Sequence, residues 1–120
     1  MNNENLKLRT KQFALRVIKL VESLPRDEVS KVLGRQLLRA GTSVGANYRA
    51  ACRSKSVADF ISKMGTVEEE ADESAYWMEL LVEAGKIKAL KTSSLMQEAS
   101  ELTAIATSSI NTARKSQGRK

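Results

Sequence analysis

Residues 35–50 read RQLLRAGTSVGANYRA, and the conformation of this stretch decides the fold. Its apolar residues recur with helical spacing, yet Gly41, Gly45 and the Thr42–Ser43 pair sit inside the run. Each glycine costs about 1 kcal/mol against alanine in an exposed helix interior. Either a close neighbour offsets that cost, or the segment bends or breaks near Gly41. On a wheel of about 100° per residue, Leu33, Leu37, Ala40, Val44, Asn47 and Ala51 share one side. Gly41 and Gly45, with Ala40, Ala46 and Ala50, would let another backbone approach closely, gaining dispersion and apolar burial. Thr42 and Ser43 can return their hydroxyls to carbonyls of the preceding turn. Asn47 falls on the apolar side, where its amide needs partners, so it is expected to fix register with an adjacent helix or subunit.

Working outward, the spacing predicts four helices. The first runs from about Leu6 to Ser23, with Phe13, Val17, Leu20 and Leu24 at steps of four and three. Pro25 ends that pattern, because the residue before a proline is pushed out of helical geometry. A second helix begins between Pro25 and Glu28 and continues through Arg53, with Asp27 and Glu28 suited to its first turn. Ser56 and Asp59 match a capping box and open the third. Its stripe is Phe60, Met64, Val67, Ala71, Ser74, Met78 and Leu81, and Gly85 ends it. Ser94 and Gln97 suggest a second capping box. From there a fourth helix carries Leu95, Ala99, Leu102, Ala106, Ser109 and Ala113 to near Lys115. Residues 116–120 (SQGRK) read as a flexible basic tail. The expectation is one all-α domain over 1–120, an antiparallel up-down-up-down four-helix bundle. A three-helix core with a loose terminal helix is the alternative.

The composition fits that picture. A chain of 120 residues suits one domain, 42% hydrophobic content can build a core, and the single proline leaves little scope for a turn-rich β fold. No apolar run is long enough for a bilayer span, and the N-terminus lacks the pattern of a secretion signal. The lone cysteine, Cys52, cannot form an intramolecular disulfide, which favours a cytoplasmic location. The formal charge of +6 favours polyanionic partners.

That charge is segregated. Lys31, Arg35, Arg39, Arg49 and Arg53 lie within about 80° of one another, opposite the apolar side of helix two, and residues 31–53 contain no acid. Residues 57–83 reverse this, setting Asp59, Glu68, Glu69, Glu70, Asp72, Glu73, Glu79 and Glu83 against Lys63. The basic stripe suits phosphates, or an acidic helix of a neighbouring subunit or protein partner, or simply solvent. Arg114 and Lys115, with Arg119 and Lys120, could reinforce a polyanion contact.

Catalytic constellations are weak. Glu69, Glu70, Asp72 and Glu73 invite a carboxylate metal site, but the chain has no histidine and some of these acids point away from the apolar stripe. No metal and no cofactor is therefore expected, and surface charge and salt bridges to the basic helix are the expected roles. Cys52 lacks an imidazole base and reads as a small packed hydrophobe. Ser43 likewise lacks a base, and Gly41-x-x-x-Gly45 lacks the ending and strand context of a phosphate loop. Tyr76 and Trp77 suit a subunit interface or the end of the core.

QLLRAGTSVGAN (36–47), NYRAACRSKSVADFISKMG (47–65) and EEADESAYWMELL (69–81), with the FALRVIKLVESLP opening (13–25), resemble the bacterial proteins encoded within intervening sequences of 23S rRNA genes. The resemblance implies an antiparallel four-helix bundle, a toroidal homopentamer and no enzymatic activity. It extends to the accessory variability proteins of diversity-generating retroelements, basic five-membered rings that engage nucleic acid and a reverse transcriptase. It also implies that Gln36–Arg39 and Thr42–Asn47 form a packed signature region, that Asp59-Phe60 opens helix three, and that Glu70, Glu73, Tyr76 and Trp77 are core or interface positions. Ala50 departs from the pattern, which has glutamate there. Together these readings point to a non-enzymatic homo-oligomer binding RNA or DNA through Lys31, Arg35, Arg39, Arg49, Arg53, Arg114 and Lys115, with Gly41, Gly45, Asn47, Tyr76 and Trp77 in packing or interface roles. An oligomeric protein-binding scaffold is the alternative.

Overall fold

The computed structural model describes residues 3–118, which form four helices: α1 (Asn3–Glu22), α2 (Glu28–Ala51), α3 (Val57–Glu83) and α4 (Ala89–Gly118). Short links join consecutive helices in an up-down-up-down bundle measuring 54 × 22 × 20 Å. Each helix packs on its neighbour in sequence, whereas α1 and α4 close the bundle with the lightest contact. That seam is tied by polar groups. Arg9 places Nε 2.7 Å from Glu98 and a terminal nitrogen 2.7 Å from Glu101, and Arg16 donates to Ser94 Oγ at 2.8 Å. The two carboxylates, Glu98 foremost through its hydrogen bonds, push the Arg9 pKa further above the usual guanidinium range.

The helix ends follow local chemistry. The Asp27 carboxylate accepts the Ser30 N–H at 2.9 Å and caps α2, a bond that holds its pKa below the usual range. At α3 the Ser56 hydroxyl accepts the Asp59 N–H at 3.0 Å, while Asp59 reaches back to the Lys55 N–H. Gly85, at φ 75°, closes α3: its N–H reaches the Val82 carbonyl and that of Lys86 reaches Leu81, the two bonds of a left-handed helix stop. The expected start of the fourth helix is corrected. α4 begins at Ala89, and its Ser94 and Gln97 lie inside it, partnered by Arg16 and Glu101. It continues through Gly118, past the expected end near Lys115, while Arg119 and Lys120 lie outside the described residues.

The core is aliphatic, as the scarcity of aromatics requires. Phe13, Val17, Leu37, Val44, Met64, Ala71, Met78, Leu81, Ala99 and Ala106 are all but sealed from solvent. Each larger side chain among them contributes about 1.5–3 kcal/mol by leaving water. The buried row of α2 differs from the expected one: Tyr48 takes the place given to Asn47, and Leu33 is only half-buried. The Tyr48 hydroxyl donates to Asn3 Oδ1 at 3.2 Å, and burial raises its pKa.

Candidate functional site

The glycines of α2 do not break it; the helix is continuous from Glu28 to Ala51. Their cost is offset by close approach of α1. A methyl group added at Gly41 would lie 2.8 Å from both γ-methyls of Val17, a residue with no exposed surface. At Gly45 it would lie 3.2 Å from the Thr10 hydroxyl and 3.4 Å from the Thr10 carbonyl carbon. Thr42 and Ser43 donate to the carbonyls of Leu38 and Arg39 at 2.8 and 2.7 Å. Asn47 satisfies its amide within the helix, donating to the Ser43 carbonyl at 2.8 Å, rather than reaching across to another helix of the chain.

Because this inner side is fixed against α1 and α3, the opposite side of α2 must face outward. Lys31, Arg35, Arg39, Thr42, Ala46, Arg49 and Arg53, which follows the helix end, are all exposed. Lys31, Arg35, Arg49 and Arg53 form no ion pair with any described carboxylate. Arg39 behaves differently. It sits at the α3 edge of the row, and its guanidinium reaches across to α3, 3.0 Å from Glu70 and 3.0 Å from Glu73. The Glu70 side chain is only 10% exposed against 52% for Arg39, so the pair seats a nearly buried carboxylate beneath a solvent-facing cation. Sequence reasoning grouped Arg39 with the free cations. The spacing of Glu70 and Glu73, three residues apart and hence on one helix face, was the signal that two acids could converge on one arginine.

Four other acids of α3 keep an outer row of their own: Glu69, Asp72, Glu79 and Glu83 are exposed, with Tyr76 among them at 51% exposure, while Glu68 accepts from the Thr107 hydroxyl of α4. Tyr76 meets Trp77 edge to face at 5.2 Å, and Trp77 packs half-buried against the core with its indole N–H buried and unpartnered among the described residues. Asp59 pairs with Lys63 at 2.7 Å, which holds its pKa below the usual carboxylate range. Arg114 and Lys115 are exposed near the end of α4. The C-terminal part of that helix borders an open hollow of about 560 Å³, shared with Asn3, Tyr48 and Phe60, so the α4 cations stand at the same end of the bundle as Arg53. Among the described residues, its walls carry no carboxylate, lysine, arginine or cysteine. Cys52 is half-buried and packs against the core. Among the described residues, no group of three or more His, Cys, Asp or Glu could hold a metal ion, and no helix is long and apolar enough to cross a membrane.

The model of a family described as "23S rRNA-intervening sequence protein" matches residues 4–108, nearly the whole bundle. A crystal structure from Bacteroides thetaiotaomicron, described as a protein with unknown function from the S23 ribosomal protein family, superposes with a TM-score of 0.85 at 34% identity. The match covers 92% of this chain and 99% of that one. No curated protein matches the chain.

Proposed function

The chain belongs to the 23S rRNA-intervening sequence protein family, and from that premise we propose a non-enzymatic, cytoplasmic homo-oligomer that binds nucleic acid through the outward face of α2. The observation that carries this reading is the set Lys31, Arg35 and Arg49, exposed along α2, with Arg53 exposed just past its end, all unpaired with any described acid. Such a row neutralises phosphates and releases their counterions, a contact that is strong at low salt and nearly blind to sequence. Arg39 is left out of the phosphate set because two carboxylates already hold it. Arg114 and Lys115 extend the positive end.

A second reading is favoured by the outer acids of α3. The exposed row of Glu69, Asp72, Glu79 and Glu83 complements the exposed cations of α2, so the two rows could meet between copies of the chain. Such head-to-tail contacts close into rings when the rotation allows, and a pentamer is the ring that the family resemblance suggests.

One experiment separates them. Affinity for a structured RNA and a DNA duplex is measured between 50 and 200 mM salt for the native chain and for Arg35→Gln/Arg49→Gln/Arg53→Gln, with assembly followed by light scattering. Binding that falls steeply with salt, and is weakened in an intact variant oligomer, is expected. Unchanged affinity in the variant overturns the site, and a variant that falls to monomers favours the second reading.

A further inference from the structure

The seam between α1 and α2 carries two open depressions, one toward each end of the bundle. The first, about 330 Å³, is lined by Glu4, Lys7, Leu8 and Lys11 of α1 and Arg49 of α2. The second, about 350 Å³, has Arg26, Lys31 and Arg35 in its walls, with Glu22 as its one acid. Each therefore sets three cations against a single glutamate. In the first, Lys7 stands 3.6 Å from Glu4, whose side chain is 85% exposed, a pairing that water and salt screen almost completely. Lys7 and Lys11 are one helical turn apart, a like-charge spacing that is unfavourable in isolation and that a shared anion relieves. Lys7 and Lys11 thus widen the cationic surface from one helix to two.

Resting on the reading of α2 given above, the geometry points to a double-stranded nucleic acid as the ligand, its phosphates seated at both depressions, with Lys7 and Lys11 among the contacts. Along α2 the rise from Arg35 to Arg49 is about 21 Å and from Lys31 about 27 Å, so one duplex turn of about 34 Å reaches both ends. Between the ends the outer side of α2 carries no unpaired cation: Arg39 is held by Glu70 and Glu73, Thr42 and Ala46 are exposed, and Leu15 is 48% exposed on α1. Proteins that hold single strands stack unpaired bases on aromatic side chains. This face offers none, since the exposed aromatic among the described residues, Tyr76, belongs to α3. A stiff duplex bridges a gap without unpaired cations that it does not touch, whereas a flexible strand gains nothing there.

The test uses the full chain and Lys7→Gln/Lys11→Gln, with Lys88→Gln/Lys91→Gln as a control of equal charge loss on another surface. Binding of 20-base-pair RNA and DNA duplexes and of single strands of the same length is measured between 50 and 200 mM salt. Duplexes are expected to bind more tightly than single strands. Lys7→Gln/Lys11→Gln is expected to lose about tenfold in duplex affinity, with a log–log salt slope shallower by about 2, and the control to change little. Tighter binding of single strands overturns the duplex assignment. If Lys7→Gln/Lys11→Gln matches the control while Arg35→Gln/Arg49→Gln/Arg53→Gln still weakens binding, the extension onto α1 fails alone. If the native chain binds anionic phosphatidylserine vesicles but no nucleic acid at 50 mM salt, the underlying reading fails with it.

Discussion

Along α2, the residues that face α1 and those that face away differ in size, in charge and in what a substitution would disturb. The inner side brings Gly41 and Gly45 against Val17 and Thr10, contacts so close that a single carbon matters. The outer side carries Lys31, Arg35, Arg49 and Arg53 in water, where size is nearly irrelevant and only charge is presented. The contrast teaches that weak helix formers and unpaired cations on one helix need separate explanations. Close packing accounts for the glycines. It says nothing of the cations, which must be explained by something outside the chain or by solvent alone.

The contrast can be broken most forcefully from the inside. Leu37 has no exposed surface, so Leu37→Ala is expected to cost about 2–5 kcal/mol in urea unfolding. At the border of the two faces, Arg39→Gln strands the Glu70 carboxylate. Breaking a fully buried pair costs about 3–5 kcal/mol, but Arg39 is half in water, which reduces the expectation to about 1–2 kcal/mol. Adding Glu70→Gln to that variant is expected to recover part of the loss, and a double-mutant cycle reads the difference.

Glycine substitutions sharpen the comparison by their sign. Helix propensity alone favours alanine by about 1 kcal/mol at any exposed interior position. Gly65 of α3 has nothing within 4 Å of an added methyl, so Gly65→Ala is expected to stabilise by up to about 1 kcal/mol. Gly41→Ala meets the stiff, buried Val17 at 2.8 Å, and overpacking of about 1–3 kcal/mol turns the same change into a loss of about 1 kcal/mol. Two stabilising results would remove close packing as the reason for Gly41.

The smallest effect is expected at the exposed caps. The carboxylates of Asp27 and Asp59 are held below their ordinary pKa, Asp27 chiefly by the Ser30 N–H and Asp59 chiefly by Lys63. A depressed folded pKa contributes stability above about pH 4, the unfolded value, and loses it as pH falls through the folded one. Asp27→Asn keeps a competent cap without the titration. Its unfolding midpoint is therefore expected to fall less steeply below pH 4 than that of the native chain.

Much of the fold was legible because it rests on periodicity. The rows of Phe13–Val17–Leu20 and Met64–Val67–Ala71–Met78–Leu81 are buried as their spacing required, and the Ser56 cap and Gly85 stop lie where local chemistry put them. The start of α4 was misread because Ser94 and Gln97 imitate a cap while their partners, Arg16 and Glu101, were invisible to a local motif. Tyr48 was missed because a row edged by small residues leaves the centre of the buried face poorly defined by pattern alone. The candidate site was half legible. A wheel places Cα atoms, and Arg39 shares the outer face by that measure. Its long side chain nevertheless reaches α3, an outcome set by the packing of two helices and not by one helix read alone.

The most direct measurement is urea unfolding of Lys31→Gln/Arg35→Gln/Arg49→Gln/Arg53→Gln beside the native chain, with duplex binding measured on the same samples. If the outer face carries binding and the inner face carries the fold, stability stays within about 1 kcal/mol, because exposed substitutions away from packing change little, while affinity collapses. A loss of several kcal/mol, or undiminished binding by a folded variant, would contradict that division.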